Sequence, residues 1–205
     1  MPKKSTQESG LTTRQLSPNK AKASILHALK IKRPIFLWGG PGIGKSEVVH
    51  QIAKNIEAQV IDIRLSLWEP TDIKGIPYFN SKENNMVWAQ PSELPTSALA
   101  KKHKNIVLFL DEMNSAAPSV QAAAYQLILN RKVGTYTLPD NVLIVAAGNR
   151  EADKGVVYRM PAPLANRFIH LEMKPRRLSE TTSTRIQARC SNGITNTISR
   201  SRDPE

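Results

Sequence analysis

The chain has 205 residues, 40% of them hydrophobic, and its 29 Lys and Arg residues outnumber its 17 Asp and Glu residues. This length suits one domain with a buried core, the hydrophobic fraction excludes wholesale disorder, and the lone Cys190 excludes a disulfide framework or a cysteine-based zinc site. No apolar run approaches the roughly 20 residues that a membrane helix needs, so we expect a cytoplasmic protein with no membrane insertion.

The net charge of +12 is concentrated at the two ends of the chain. Residues 1–33 contain eight basic residues and one acidic residue, and residues 175–205 contain six and three. Residues 34–174 are nearly neutral, with fifteen basic and thirteen acidic residues. A basic surface attracts nucleic acid, but the long central segment has no such excess. We therefore do not expect a nucleic-acid partner.

The first part of the chain predicts an arm, a helix, a strand and a second helix. Residues 1–16 are polar and indicate a flexible basic arm. Apolar residues at helical spacing then begin at Ser17-Pro18, a pair that suits a helix start, and continue to about Lys30. The apolar run 34–38 predicts a buried strand, and an amphipathic helix follows Ser46.

The rest of the chain continues the alternation of strands and helices. In order, we predict a strand at 60–65, an irregular stretch interrupted by prolines at 66–105, a strand at 106–110, a helix capped by Ser119, a hairpin at 132–138, a strand at 142–147, a short helix at 162–167, a strand at 168–173 and an irregular polar tail at 175–205. This pattern predicts an α/β fold in which a mostly parallel sheet is covered on both faces.

A glycine-rich segment joins the first predicted strand to the second helix. It consists of Gly39, Gly40, Pro41, Gly42, Ile43, Gly44, Lys45 and Ser46, and its spacing matches the phosphate-binding loop. Glycines let successive backbone N–H groups point at phosphates, and the helix that follows adds its positive end. Lys45 can reach the terminal phosphates of a nucleotide, and the Ser46 hydroxyl can coordinate Mg²⁺. A chance glycine-rich turn is the alternative, but the position between a strand and a helix favours the phosphate loop.

Two acidic residues follow the clearest predicted strand, 106–110. Asp111 at the end of such a strand can hold Mg²⁺ directly or through water. Glu112 can orient and deprotonate a water molecule that attacks the γ-phosphate, which favours hydrolysis over phosphoryl transfer by a kinase. An ordinary core strand with an acidic turn is the alternative, and the loop upstream favours the nucleotide site.

Two further polar residues follow the later strands. Asn149, after the strand at 142–147, can hydrogen-bond both the γ-phosphate and the attacking water, although Gly148-Asn149 is also a common turn. Arg167 can stabilise the charge that develops on the γ-phosphate, from the same chain or from a neighbouring subunit, although a surface ion pair is the simpler interpretation.

From about Ser17 to Met173 the chain resembles MoxR-type AAA+ ATPases. The resemblance is strongest in the segments GGPGIGKSE (39–47), LSLWEPTDIKGIPYF (65–79), LFLDEMNSAAPSVQAAAYQLILNRKVG (108–134) and VAAGNREADKGVVYRMPAPLANRFIHLEM (145–173). It implies that Lys45 and Ser46 belong to Walker A, Asp111 and Glu112 to Walker B, Asn149 to the first sensor and Arg167 to an arginine finger that reaches the next subunit.

The same resemblance implies a fold, cofactors and partners. The fold would be a three-layer α/β/α P-loop domain with a five-stranded sheet, which binds ATP or ADP with Mg²⁺. Members of the group usually form hexameric rings, remodel protein substrates, and often work with proteins that carry a von Willebrand factor A domain.

The resemblance ends near Lys174, where AAA+ proteins normally continue into a small helical lid. We therefore expect an ATPase core at 17–174 followed by a tail at 175–205 that lacks the lid, with ATP binding and ring assembly weakened as a result. The function expected is hydrolysis of ATP to ADP and phosphate, coupled to remodelling of protein partners. A nucleic-acid-stimulated motor or loader, and an interaction module that binds nucleotide without hydrolysing it, remain the alternatives.

Overall fold

The computed structural model describes residues 15–150 and 157–174. The arm predicted before residue 15 and the tail predicted at 175–205 lie outside these residues. The described helices are α1 (Pro18–Lys30), α2 (Lys45–Asn55), α3 (Pro70–Lys74), α4 (Ser97–Lys102), α5 (Pro118–Asn130) and α6 (Ala162–Ala165). The described strands are β1 (Gln15–Leu16), β2 (Ile35–Trp38), β3 (Ala58–Arg64), β4 (Ile76–Asn80), β5 (Asn85–Ala89), β6 (Asn105–Asp111), β7 (Lys132–Val133), β8 (Tyr136–Thr137), β9 (Val142–Gly148) and β10 (Ile169–Met173).

The main sheet has the strand order β1-β10-β2-β9-β6-β3, and each neighbouring pair is parallel. Its five longer strands are those that the apolar runs predict, which confirms the α/β fold class with a mostly parallel five-stranded sheet. Parallel neighbours require crossover connections, and helices such as α2 and α5 lie in these connections.

The sixth strand of the sheet, β1, corrects the predicted arm at its end. Gln15 and Leu16 pair with Glu172 and Met173 at the edge of β10, and the backbone N–H of Lys174 donates a 3.0 Å hydrogen bond to the Leu16 carbonyl. Leu16 is buried in the core. A single apolar residue and two backbone partners are enough to extend the sheet here, although they give no periodic pattern in the sequence.

The two faces of the sheet are covered by separate hydrophobic clusters. In β6, Ile106, Leu108 and Leu110 belong to one cluster, together with side chains of α5. The alternate residues Val107 and Phe109 belong to the other, together with side chains of α1 and α2. This alternation is what a strand buried on both faces produces, and it gives the three-layer arrangement that the sequence predicts.

The stretch 66–105 is more regular than predicted. It contains α3, the antiparallel pair β4–β5 and α4, each five or six residues long. Ile76, Phe79 and Met86 of the β4–β5 pair are 65%, 59% and 61% exposed. Because these apolar side chains are not sorted into a buried and an exposed face, the sequence shows no strand period. The hairpin predicted at 132–138 is confirmed as β7–β8.

The helix starts confirm one prediction and correct another. Ser17 is the N-cap residue of α1, with Pro18 in the first turn. In α5, however, the N-cap residue is Ala117 and Pro118 begins the helix, so the prediction that Ser119 is the cap is wrong. The fixed φ of proline suits the first helical position and explains the earlier start. In the part of the chain that is described, none of the helices has the length and apolar character needed to traverse a bilayer.

Candidate functional site

The carboxyl ends of three adjacent strands meet at one edge of the sheet. β9 lies between β2 and β6, and Trp38 at the end of β2 pairs with Gly148 at the end of β9. The segments that follow these strands surround a cavity of about 330 Å³. It is lined by Pro41, Gly42, Gly44, Lys45, Ser46, Glu47, Arg64, Asp111, Glu112, Gly148 and Asn149. Ligands of open parallel sheets bind at this edge.

The glycine loop turns the chain from β2 into α2. Gly42 and Gly44 have φ angles of +72° and +87°, a left-handed conformation that side chains with a Cβ rarely adopt. Gly44 is the N-cap residue of α2, so the amide groups of the first helical turn are at the cavity. The backbone N–H groups of a loop with this shape can donate hydrogen bonds to the oxygens of a phosphate group.

Lys45, the first residue of α2, is buried with 9% of its surface exposed. Its ammonium donates hydrogen bonds to the carbonyl oxygens of Gly39 (2.7 Å) and Gly40 (3.0 Å) and to Oδ1 of Asn149 (2.9 Å). Gly39, Gly40 and Ile43 are predicted loop residues that do not line the cavity. The first two contribute through the carbonyl groups that hold the ammonium.

Ser46 and Asp111 form an oxygen pair on the wall of the cavity. The Ser46 hydroxyl donates a 3.2 Å hydrogen bond to Oδ2 of Asp111, while Oδ1 of Asp111 accepts the backbone N–H of Glu112 at 2.8 Å. A hydroxyl and a carboxylate suit Mg²⁺, which is commonly held by one or two protein oxygens together with substrate phosphates and water. Within residues 15–150 and 157–174 there is no cluster of three or more His, Cys, Asp and Glu side chains arranged for a metal. The Ser46–Asp111 pair fits an Mg²⁺ ion that phosphate oxygens and water also hold.

Glu112 is held by two residues that the sequence analysis missed. Its Oε2 accepts a hydrogen bond from the Ser66 hydroxyl, and its Oε1 lies 3.6 Å from Nε of Arg64. The side chains of Arg64 and Glu112 are 58% and 38% exposed, so this ion pair contributes little to stability. Arg64 is the last residue of β3 and pairs with Asp111 at the end of β6. The end of β3, next to the acidic strand end, was the signal from which Arg64 and Ser66 could have been found.

Asn149 follows the last residue of β9 and faces the glycine loop. Its side-chain oxygen accepts the hydrogen bond from Lys45, and both its backbone N–H and its carbonyl are bound by the side chain of Asn114. The structure thus brings Lys45, Ser46, Asp111, Glu112 and Asn149 to one cavity, as the order of the strands predicts.

Arg167 is a further predicted site residue that does not line this cavity. It lies between α6 and β10, and its side chain is exposed. Ile169, the first residue of β10, pairs with Ile35, the first residue of β2, so Arg167 is at the amino edge of the sheet. The cavity is at the opposite edge of the sheet. The length of β2, roughly 10 Å, separates the two edges. The cis alternative for Arg167 is therefore not supported by the geometry.

Comparison with known proteins assigns this architecture to one family. A family described as ATPase family associated with various cellular activities (AAA) matches residues 35–175. Midasin of Giardia intestinalis is 28% identical over 156 residues, which cover 72% of this chain and 3% of midasin. The YeaC protein of Bacillus subtilis is 28% identical over 149 residues, which cover 70% of this chain and 43% of YeaC. The chain thus spans less than half the length of either relative.

A solved structure agrees with the fold. The crystal structure of a candidate ATPase from Cytophaga hutchinsonii superposes with a TM-score of 0.57 at 19% sequence identity, over 85% of this chain and 50% of that one. At this level of identity, the similarity concerns the fold.

Proposed function

The chain belongs to the AAA family of ATPases, and from this premise we propose that its cavity binds ATP with Mg²⁺ and hydrolyses it to ADP and phosphate. One observation carries the proposal. The Lys45 ammonium, the Ser46–Asp111 pair and the Asn149 amide, which come from three different strand ends, surround the same cavity. The roles that we propose for the individual residues rest on the distances between these groups.

Phosphate binding is assigned to the glycine loop and Lys45. The amide groups at the start of α2 would bind the phosphates of ATP, and Lys45 would exchange one of its present oxygen partners for a terminal phosphate oxygen. The carbonyl groups of Gly39 and Gly40 hold the ammonium at the cavity before the nucleotide arrives. The Lys45 side chain therefore loses its conformational entropy when the chain folds, and not when the nucleotide binds.

Ser46 and Asp111 are assigned to Mg²⁺. The hydroxyl would bind the ion directly and the carboxylate directly or through water, in place of the hydrogen bond that now joins them. The bound ion would neutralise charge on the β- and γ-phosphates.

Glu112 is assigned the role of general base. Its long, exposed contact with Arg64 leaves Oε1 able to accept a proton from water, while the Ser66 hydroxyl holds Oε2. As the proton moves to Glu112, the water oxygen bonds to the γ-phosphorus and the bond from that phosphorus to the β–γ bridging oxygen breaks, which releases ADP. Asn149 would orient the water and the γ-phosphate from the other side of the cavity.

We further propose a MoxR-type member that assembles as a homo-oligomeric ring and remodels protein partners, with a von Willebrand factor A domain protein as the expected companion. Arg167 supports assembly, because an exposed guanidinium at the amino edge can act only on a nucleotide that another subunit holds. The ring would join the amino edge of one subunit to the cavity of the next.

The proposal is tested by phosphate release from Mg²⁺-ATP, measured over a range of protein concentrations together with the molecular mass in solution. We expect turnover per subunit to rise with concentration as the oligomer forms. No phosphate release at any concentration contradicts ATP hydrolysis, and turnover that is independent of concentration contradicts catalysis between subunits.

Mixing two variants tests the role of Arg167 directly. Arg167→Ala and Glu112→Gln should each be inactive, while a one-to-one mixture should recover activity at about a quarter of its subunit contacts, those with an intact Arg167 and an intact Glu112. Arg33→Ala is the matched control, because Arg33 is an exposed arginine at the same edge, two residues before β2. A mixture as inactive as its components contradicts action between subunits.

A further inference from the structure

We propose that Asn114 is a positioning residue for ATP hydrolysis, because its side chain fixes Asn149 in the place from which the Asn149 amide reaches Lys45. The inference rests on the proposed function and adds a residue outside the cavity to it. Asn114 lies in the segment 108–134 that carries the resemblance described in the sequence analysis, which gives it no role.

The proposal rests on two hydrogen bonds between the side chain of Asn114 and the backbone of Asn149. Nδ2 of Asn114 donates to the carbonyl oxygen of Asn149 at 2.6 Å, and the backbone N–H of Asn149 donates to Oδ1 of Asn114 at 3.1 Å. β9 ends at Gly148, so the ladder no longer orders Asn149. The Asn114 amide replaces a neighbouring strand and fixes the peptide groups on both sides of the Asn149 Cα.

Burial and shape make this contact specific. Asn114 is 1% exposed, so water cannot readily replace its amide group. Gly148 leaves the space that the amide fills, because a Cβ at that position would lie 2.2 Å from Oδ1 and 2.8 Å from Cγ of Asn114. Glycine before Asn149, for which the sequence analysis left a common turn open as an alternative, is therefore required for the approach of Asn114.

Asn114 connects the segment that contains Asp111 and Glu112 to Asn149. It lies in the turn Met113–Ser115, two residues after Glu112. Its carbonyl oxygen accepts a 2.7 Å hydrogen bond from the backbone N–H of Tyr158, which anchors the turn from a third segment. Asn114 does not line the cavity. Its side chain therefore acts indirectly, through the Asn149 backbone that it binds.

This arrangement predicts an effect on turnover rather than on nucleotide affinity. Without Asn114, Lys45 still donates to the carbonyl groups of Gly39 and Gly40, so phosphate binding should persist. Asn149 would lose its fixed backbone, and a group displaced by about 1 Å from its working position can lower a rate by about 100-fold.

The test compares Asn114→Leu with a control that removes a similar clamp elsewhere. Asn141 also binds the backbone twice, through Nδ2 to the carbonyl oxygens of Ala100 (2.9 Å) and His103 (2.8 Å), but it precedes β9 at the opposite edge of the sheet. We expect Asn114→Leu to lower kcat by about 10- to 100-fold with little change in the Kd of a fluorescent ATP analogue. Asn141→Leu should lower the melting temperature but leave kcat within about twofold.

The same substitution in the Asn149→Ala background separates positioning from general loss of structure. If Asn114 acts through the Asn149 side chain, Asn114→Leu should lower kcat by less than about twofold in that background. An equal loss in both backgrounds, or an unchanged kcat in folded Asn114→Leu, overturns the inference. If Asn114→Leu does not fold, Asn114→Asp keeps the size and the acceptor and replaces the donor with a charged oxygen, with the same expected result.

A second readout does not need turnover. Hydrogen exchange of the Asn149 amide, measured by NMR, should accelerate in Asn114→Leu and not in Asn141→Leu. An unchanged exchange rate in Asn114→Leu overturns the inference. If the wild-type chain releases no phosphate while exchange at Asn149 accelerates in Asn114→Leu, the proposed function is contradicted and the Asn114–Asn149 contact is supported.

Discussion

The Lys45 ammonium donates a 2.9 Å hydrogen bond to the side-chain oxygen of Asn149, which lies 104 residues further along the chain. The bond joins the start of α2 to the end of β9. The same ammonium also donates to the carbonyl oxygens of Gly39 and Gly40. The ammonium can exchange one of these neutral oxygens for a stronger acceptor. Phosphate oxygens are such acceptors.

Replacing Lys45 should therefore weaken nucleotide binding. We expect Lys45→Met to raise the Kd for a fluorescent ATP analogue by about 10- to 100-fold, since a hydrogen bond to a charged group contributes about 1.5–3 kcal/mol. Lys54→Met is the control, because Lys54 is exposed in the last turn of the same helix. Equal affinity in Lys45→Met and Lys54→Met would show that the ammonium does not bind the nucleotide.

The Ser46–Asp111 pair predicts a change in metal dependence. In Asp111→Asn one oxygen ligand loses its charge, so the Mg²⁺ concentration that gives half-maximal phosphate release should rise by about tenfold or more. The measurement is phosphate release against Mg²⁺ at saturating ATP. Asp62→Asn is a suitable control, since Asp62 lies on the adjacent strand β3, 3.5 Å from His50 and 43% exposed. A Mg²⁺ curve for Asp111→Asn that coincides with the Asp62→Asn curve contradicts the assignment.

Tyr136 predicts the response of stability to alkali. Its hydroxyl donates a 2.7 Å hydrogen bond to the Pro95 carbonyl, and burial raises the pKa of the Tyr136 phenol above its ordinary value of 10.0, with Arg131 opposing the change. Above that ordinary value the unfolded chain releases the phenolic proton first. The contribution of Tyr136 to the free energy of unfolding is therefore complete below pH 10 and is lost as the pH rises towards the folded pKa.

Urea unfolding of Tyr136→Phe tests this dependence. We expect the variant to be less stable than the wild type by about 1 kcal/mol near neutral pH, because the Pro95 carbonyl loses its partner. The difference should shrink above about pH 10, where the wild type loses the contribution of its phenol. Tyr78→Phe, at an exposed tyrosine of β4, is the control. A difference from the wild type that stays constant with pH contradicts the prediction.

The sequence was sufficient to predict most of the fold because the central strands β2, β6 and β9 are buried on both faces. Runs such as 106–110 are apolar throughout, and glycines mark where β2 ends. Strand β1 and the β4–β5 pair escaped prediction for physical reasons. The first is held by two residues against the sheet edge, and the second exposes Ile76, Phe79 and Met86 instead of sorting them.

The candidate site was predictable where a residue belongs to the glycine loop or lies at the end of a strand of the sheet. Lys45, Asp111 and Asn149 meet because parallel strands end at the same edge. Asn114 was not predictable in this way. Its partner lies 35 residues away, and a single asparagine after an acidic pair produces no period and no known spacing. Ser66, whose hydroxyl binds Glu112, lies just after the end of β3, and that position was its available signal.

Glu112→Gln is the variant that tests the central claim most directly. The amide keeps the size of the side chain but cannot accept a proton from water, so binding and hydrolysis should separate. The measurement is the Kd for Mg²⁺-ATP together with phosphate release by the same preparation. We predict a Kd within about threefold of the wild-type value and phosphate release lowered by about 100-fold or more. Phosphate release at the wild-type rate in Glu112→Gln would contradict the account.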